Sequence, residues 1–556
     1  MRRSTAIGYD AAMHASRLAK LLVRSRLVRG GHAHIVDVTN DSRSVKPGWL
    51  YAALPGEHVD GHRFIPEAIA AGATGILCER LPSDLASDVA WFVTDDPRVA
   101  LSELSDAVFG HPSRDIAVIG VTGTDGKTST VSFVYQLLRE LGYPAGYVSS
   151  AAITIGGAEQ SNPEHQSTPE APEVHRTLRT MTDAGDRYAV LESTSHGLSM
   201  KTARLAHVRY AASVLTNMAH EHLEFHGTFE QYRFDKANLF RALGTGRPLA
   251  DIVGGIAVGP DSGAPPQPPA QQHPPTPSPE LPFNEPFGVL NADDPVYDYF
   301  RSATRAPTLS YSVAAGAAAA DVHAANFYAT DVDPSPASTS FVLHTPIGSS
   351  RCTLPIPGPF NVANVLAASA VVAGLCTVRV EDLSDAIGRL RPVRGRMNVV
   401  LTAPFSVVVD FAHTPGSFDA VLPFFRAHTP GRLIVVFGSA GERDPGKRPM
   451  QGAIADRFAD LIVLADEDPR GEDAAAILLD IAAGCPARTV DRDLWLINDR
   501  RAAIAHAFAL AGTGDTVLLL GKGHETSIIG PDGPQPWDEI SVAGELLAAS
   551  GHQPVR

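Results

Sequence analysis

Large apolar residues in this chain come in short unbroken runs, and apolar positions at helical spacing answer them. Ile116-Ala-Val-Ile-Gly-Val121 is followed by Val131, Val134, Tyr135 and Leu138. An uninterrupted run suits a strand covered on both faces, as in a parallel sheet, and the period after it suits a helix. Tyr188–Glu192 and residues 211–215 read as further strands, and Gly358-Pro-Phe-Asn-Val-Ala-Asn364 opens a helix. Four late runs, Ser406 to Val409, Leu433–Phe437, Leu461–Leu464 and Thr516–Leu520, read as strands of a third unit. Ala12 to Arg29 reads as a helix behind a poorly specified leader. The fold class expected is α/β.

Breaks in the pattern place the boundaries. Gly110-His-Pro-Ser-Arg-Asp115 is a short polar break, and a new unit starts after Leu390-Arg-Pro392. Domains are therefore expected at 1–112, 113–391 and 392–556. Residues 260–286, with Pro265-Pro-Gln-Pro-Pro269 and Pro274-Pro-Thr-Pro-Ser-Pro279, hold too few large apolar side chains to offset their ordering entropy. They are expected to form a disordered surface insertion; a proline-rich docking ligand is the alternative.

Composition narrows the class. At 556 residues the chain is too long for one core, and its 44% hydrophobic content is enough for buried sheets. A formal charge of −15 argues against nucleic acid or an anionic membrane as partner. The four cysteines, Cys78, Cys352, Cys376 and Cys485, show no CxxC spacing and read as buried thiols, not as a disulfide framework or zinc site. The start, Met1-Arg-Arg-Ser-Thr5, lacks the apolar run of a signal peptide and no uninterrupted apolar stretch reaches about 18 residues, so a cytoplasmic protein without an obligate protein partner is expected.

The chemistry centres on Gly123-Thr-Asp-Gly-Lys-Thr-Ser129. A strand, a glycine loop and a helix in that order aim backbone N–H groups at a polyphosphate; Lys127 reaches the outer phosphates and the Thr128 hydroxyl suits Mg²⁺. The loop is a variant, because Val121 stands where the usual pattern has glycine; a plain tight turn is the bland alternative. Glu192, ending a buried strand, is the candidate carboxylate for a nucleotide's Mg²⁺. His222 and His226, four apart, raise a zinc site, but no HExxH or third ligand accompanies them. Contact of His222 with one metal near the phosphates, or polar packing, suits them better. Asn40-Asp-Ser-Arg43 can present side chains to an anionic ligand or be a solvated loop. Asp410-Phe-Ala-His413, Gly438 through Arg448, Asp466-Glu-Asp-Pro-Arg470 and Gly521-Lys-Gly-His-Glu525 each follow a late strand, at the edge where open α/β sheets bind ligands.

Taken in order, these motifs resemble the Mur ligases. The match runs through Asp41-Ser-Arg43, Asp60-Gly-His62, the glycine loop, Glu192-Ser-Thr-Ser-His-Gly197, Thr216-Asn217, Glu221-His-Leu223, His226-Gly-Thr228 and Asn291-Ala-Asp-Asp-Pro295. It continues through Phe360-Asn-Val-Ala-Asn364, Gly395-Arg-Met397, Asp410-Phe-Ala-His-Thr-Pro415, Gly446-Lys-Arg-Pro449, Asp468-Pro-Arg470 and Gly521-Lys-Gly-His-Glu525. The chain looks most like the branch that adds the third residue to UDP-N-acetylmuramoyl-L-alanyl-D-glutamate. Departures are Ser193-Thr194 for Val-Ser, Glu221 for Asp, Phe411 for Tyr and Asp468 for Asn.

The resemblance implies a UDP-binding N-terminal α/β domain, a central P-loop ATPase-type parallel sheet domain and a C-terminal Rossmann-like domain. Ser42 and Arg43 would lie near the uridine diphosphate, and Thr168, Ser195 and His196 along the sugar-peptide channel. ATP would lie between the central and third domains. Gly123, Thr124, Asp125, Gly126, Lys127, Thr128 and Ser129 would hold its phosphates, with Asn291, Asn361 and Asn364 on the adenine side and Arg396 and Asp410 on the ribose side. Two Mg²⁺ are implied, with Thr128, Glu192, His222 and a carbamylated Lys236 as ligands. Lys127, Glu192, His222 and Lys236 would be catalytic, in a ligation through an acyl phosphate shielded from water by closure of the third domain.

Arg448, Asp468, Arg470, Gly521 and Glu525 would receive the incoming diamino acid. Arg470 suits the distal carboxylate of meso-diaminopimelate, unless Glu467 or Asp468 neutralises it. The carboxylate of Asp468 repels that group and attracts the ammonium of L-lysine or L-ornithine, which tips the balance toward a basic amine. A folylpolyglutamate-type ligase or a non-catalytic binding paralogue are the alternatives. The Asp-Ser-Arg segment opposes the first, and retention of Lys127, Glu192 and His222 opposes the second.

Overall fold

The computed structural model describes residues 12–56, 59–162, 167–219, 223–253, 280–313 and 325–555. Two compact units emerge, one of Met1–Lys127, Leu138–Ser310 and Ala370–Thr377, the other of Thr128–Leu137, Tyr311–Ser369 and Val378–Arg556. Among the described residues both are α/β, with parallel sheets as the unbroken apolar runs imply.

The first unit begins with a five-stranded sheet ordered Arg26–Arg29, Ala90–Val93, Gly75–Cys78, Trp49–Ala52 and Asp37–Thr39. All neighbours are parallel except the first pair. Leu50, Leu77 and Phe92 bury one face of this sheet against Leu101 and Leu104 of the helix Pro97–Val108. Proline at the first turn and the Asp96 carboxylate, which accepts from the Val99 N–H, start that helix. The long helix expected over Ala12 to Arg29 is not formed. Only Ala15–Leu18 is helical, and Arg26–Arg29 is an edge strand antiparallel to Ala90–Val93. Pairing with a ready strand edge outweighs helix propensity, which is a weak local preference.

Beside it lies the sheet that carries the nucleotide loop, ordered Ala158–Ser161, Ala152–Ile155, Ala145–Val148, Tyr188–Glu192, Ala117–Thr122, Ala212–Leu215 and Phe287–Asn291. From Ala145–Val148 onward the pairs are parallel, so Thr122, Glu192, Leu215 and Asn291 all end at one edge. Arg176, on the helix Ala171–Asp183, ties the two sheets together. Its guanidinium donates to Asp37 at 2.7 and 3.2 Å and lies over the rings of Trp49 and Phe109.

Most of the proline-rich insertion lies outside the described residues. Its expected end at 286 is too late, however: the Phe283 N–H donates to Gly374 O at 2.9 Å and its ring lies 4.8 Å from that of Phe287. A large aromatic side chain there has a core to join.

The second unit holds an antiparallel run, Phe327–Pro334, Thr339–Thr345 and Gly348–Leu354. It also holds a six-stranded sheet ordered Asn398–Leu401, Ser406–Asp410, Thr516–Leu520, Leu433–Phe437, Leu461–Leu464 and Leu494–Leu496. Its four expected strands are present, flanked by two short edge strands. Val409, Val436, Val463 and Leu519 form its core with Ile504 and Ala543 of the helices Arg500–Leu510 and Glu539–Ala549. All four cysteines are free and buried. Among the described residues no helix is long and apolar enough to cross a membrane.

Candidate active site

The strand Ala117–Thr122 passes through the glycine loop into the helix Lys127–Glu140. Gly123 turns with φ of 146°, and a β-carbon there would stand 1.8 Å from Thr216 Oγ1, so only glycine fits. Thr216 and Asn217, which follow the next strand, brace the loop. The Thr124 N–H donates to Asn217 O and the Asp125 N–H to Asn217 Oδ1, both at 2.8 Å, while Thr216 Oγ1 donates to Asp125 O at 2.6 Å. The Asn291 amide donates to Thr216 O at 2.8 Å and so holds the brace itself. Lys127 is half-buried, with Nζ donating to Thr124 O at 2.6 Å; Thr128 and Ser129 are buried.

Glu192 is buried at its strand's end, where Oε2 accepts from the Ser150 N–H at 3.1 Å. Thr168 joins it, donating to Glu192 O at 2.8 Å and lying 2.9 Å from Thr194 Oγ1. Ser195 is buried in the next turn, and the His196 ring stacks 4.0 Å from Phe225. Lys236, on the helix Phe229–Arg241, is only 1% exposed. Its Nζ donates to Gly123 O at 2.5 Å and sits over the Tyr232 ring, so this side chain ends at the nucleotide loop. His222 lies outside the described residues. His226 turns Nδ1 to Asp235 at 2.8 Å, and among the described residues no group of three or more His, Cys, Asp and Glu side chains gathers around it.

Ser42 opens a short turn capped by Asp41. The guanidinium of Arg43 donates to both Asp41 oxygens, at 2.9 and 3.0 Å, and this holds the Asp41 carboxyl below its usual range.

In the second unit Asn361 and Asn364 are buried: the Asn361 amide donates to Pro357 O, and Thr130 donates to Asn364 Oδ1 at 3.2 Å. Asp410 accepts from the Met397 and Ala412 N–H groups, and Arg396 lies 4.1 Å over the Phe411 ring.

The loops after the late strands carry a buried cluster. Lys522, wholly buried, donates to Asp468 Oδ1 at 2.7 Å and to Glu525 Oε2 at 2.5 Å, and Asp468 also accepts from the Ile529 N–H. Lys522 was not among the residues singled out from sequence, although it stands inside a motif that was. Gly521 turns with φ of 101°, and a β-carbon there would meet Glu467 Oε2 at 3.0 Å, which brings a third carboxylate to the group. Burial pushes the Glu525 carboxyl up, aided by Asp468 and Glu467 and opposed by Lys522.

Two arginines of these loops differ in their pairing. Arg448 is buried and paired with Glu472 at 2.8 Å and Asp480 at 3.0 Å, while its Nε has no hydrogen-bond partner. Arg470 has no ion pair with Glu467 or Asp468, nor with any other described residue, and its Nε is buried without a hydrogen-bond partner. Its backbone is left-handed, with φ of 54°, a costly state that recurs at functional sites.

A glycine loop closing a parallel sheet, with a second α/β unit that gathers charged loops at its strand ends, defines a nucleotide-dependent α/β enzyme. Three family models match in order: Mur ligase family, catalytic domain, over residues 34–107; Mur ligase middle domain over 121–252 and 280–372; and Mur ligase, glutamate ligase domain over 395–523. A UDP-N-acetylmuramyl-tripeptide synthetase of Treponema denticola is 41% identical over 91% of both chains, and one of Roseiflexus is 43% identical over 93% of this chain and 95% of its own. A UDP-N-acetylmuramoyl-L-alanyl-D-glutamate–2,6-diaminopimelate ligase of Geobacillus kaustophilus is 35% identical over 94% and 96%. A solved ligase of that last description superposes with a TM-score of 0.61 at 25% identity, covering 98% of this chain and all of the other. The chain belongs to the Mur ligase family. It is an ATP-dependent amide-forming ligase of peptidoglycan synthesis.

Proposed function

We propose that the enzyme joins a diamino acid to the D-glutamate γ-carboxylate of UDP-N-acetylmuramoyl-L-alanyl-D-glutamate, and that it prefers L-lysine or L-ornithine over meso-diaminopimelate. The names of relatives support the acceptor: tripeptide synthetases at 41 and 43% identity and, at 35%, a ligase named for UDP-N-acetylmuramoyl-L-alanyl-D-glutamate. The choice of amine is carried by one observation: Asp468 and Glu525 both pair with Lys522, and Glu467 lies against Gly521 beside them, so carboxylates outnumber the ammonium in these loops. Such a group attracts a side-chain ammonium and repels a second carboxylate. Arg470 would pair with the α-carboxylate that all three amines share; it could instead take the distal carboxylate of meso-diaminopimelate, and the preference rests on the acidic cluster outweighing that contact.

A carboxylate is a poor electrophile, so the γ-carboxylate first attacks the γ-phosphorus of ATP, forming acyl phosphate and ADP. The amine nitrogen then attacks the acyl carbon, phosphate leaves with the C–O electron pair, and the nitrogen gives up a proton. The loop amides and Lys127 would hold the transferring phosphoryl group, and Thr168, Ser195 and His196 would orient the acceptor's peptide; positioning and charge neutralisation supply most of the rate. Ser42 and Arg43 would contact the uridine diphosphate.

The oxygen donors at the loop fit Mg²⁺, which prefers hard ligands. The Thr128 hydroxyl would hold one ion, and Glu192 and His222, with Lys236 after its amine adds to CO₂ and loses a proton, would hold a second. Bound there, the ions offset the negative charge that builds among the phosphates and the carboxylate. Consumption of ATP places the reaction in the cytoplasm. Incubation with ATP, the UDP-linked dipeptide and each amine in turn tests the reading: L-lysine or L-ornithine should drive phosphate release, and release driven by meso-diaminopimelate alone would overturn the preference.

A further inference from the structure

We infer that Arg500 is a positioning residue for the amine pocket, acting through two backbone carbonyls and held in place by Glu539. The inference rests on the reading that residues 466–470 and 521–525 receive the amine. Arg500 is 2% exposed and Glu539 is wholly buried. Arg500 Nη1 donates to Asp466 O at 3.1 Å and Nη2 to Leu520 O at 2.7 Å. Those two carbonyls belong to the residues from which the two candidate pocket loops depart. Their strands, Leu461–Leu464 and Thr516–Leu520, are not neighbours, because Leu433–Phe437 lies between them. No ladder hydrogen bond therefore sets the distance between the loops. The guanidinium spans it, and its planar fork fixes both carbonyls at once, which a lysine ammonium cannot do.

Glu539 holds the fork. Its carboxylate accepts from Arg500 Nε at 3.0 and 3.1 Å and from Nη2 at 2.6 Å, and it also accepts from Trp537 Nε1 at 2.7 Å. A buried ion pair of this kind is a poor source of net stability, since desolvating both ions offsets much of their attraction. Its value lies in geometry. The Lys522 cluster is built on the loop that starts one residue after Leu520, and Asp468 and Arg470 on the loop that contains Asp466. The Lys522–Asp468 pair joins the two loops at their tips, and Arg500 fixes the bases from which they depart while hydrogen-bonding to none of these charges.

The test uses the full-length enzyme with Arg500→Lys, and Glu539→Gln as a second variant that keeps the shape of the partner. Amide hydrogen exchange should rise at least about tenfold at residues 466–470 and 521–525 while Leu433–Phe437 stays protected. The KM for the diamino acid should rise at least about tenfold, with the KM for ATP and for the UDP-linked dipeptide changed less than about twofold. Glu539→Gln should show the same pattern more weakly. Unchanged exchange in the two loops, or exchange that rises equally across the whole sheet, would overturn the positioning role. Wild type that releases no amine-dependent phosphate, with loop protection still lost selectively in the variants, would overturn the functional reading and support the clamp.

Discussion

Lys522 and Asp468 form a buried ion pair, Nζ to Oδ1 2.7 Å, at the strand ends of the second unit. The aspartate on which the amine preference turns is therefore also a structural partner. Asp468→Asn keeps an acceptor for the Ile529 N–H but leaves Glu525 as the carboxylate paired with Lys522. Weakening such a pair should cost about 1–3 kcal/mol, read as a fall in melting temperature. The ratio of turnover with L-lysine to that with meso-diaminopimelate should fall at the same time. An unchanged ratio would show that the pocket's charge does not choose the amine.

Lys127→Ala should lower kcat/KM by about 10³-fold or more, because the transferring phosphoryl group loses its cation. The fold should survive: Lys127 is half-buried and its one described hydrogen bond is to Thr124 O in the same loop. Circular dichroism and melting curves check the second half of the statement, and a variant with near wild-type turnover would contradict the first.

Lys236 is buried with Nζ against Gly123 O, at the loop where the proposed second Mg²⁺ would be held. Lys236→Ala should be inactive by at least about 10²-fold and partly rescued by formate or acetate, since a small carboxylate restores an anion. Full activity without additive would remove the carbamate from the account.

Burial, reinforced by the like charge of His175 and opposed by Asp106, holds the His207 ring at about 4, below its ordinary 6.5. Asp251 and Arg24 also face it, with opposite effects. The folded chain then binds fewer protons than the unfolded chain between those values. The stability from the neutral ring is complete above about 6.5 and is lost as pH falls toward 4. At pH 5 the loss from this group is about 2 kcal/mol. Melting temperatures from pH 7 to pH 5 should fall more in wild type than in His207→Gln; parallel curves would contradict the assignment.

What could be read from the chain follows from where its hydrophobic runs lie. Val118 to Val121 and Leu433 to Phe437 are covered on both faces, so their apolar runs mark strands without ambiguity, and the glycine loop announces its own turn. Arg26–Arg29 and Leu494–Leu496 are short edge strands defined by the partner they pair with, and no local pattern shows that partner. Side-chain pairing is less legible still. Arg448 looks free for a ligand until Glu472 and Asp480 approach it from a separate segment, and Lys522 looks like any glycine-loop lysine until it is seen against Asp468. Thr216 and Asn217 were visible as a motif, but their work in bracing residues 123–125 depends on two strands lying side by side.

The most direct measurement is phosphate released from ATP in the presence of UDP-N-acetylmuramoyl-L-alanyl-D-glutamate, across L-lysine, L-ornithine, meso-diaminopimelate and no amine. The account predicts release that requires both the UDP-linked dipeptide and an amine, and that is at least about tenfold more efficient with L-lysine or L-ornithine than with meso-diaminopimelate, a difference of about 1.4 kcal/mol. Release that ignores the dipeptide, or that favours meso-diaminopimelate by a similar factor, would contradict it.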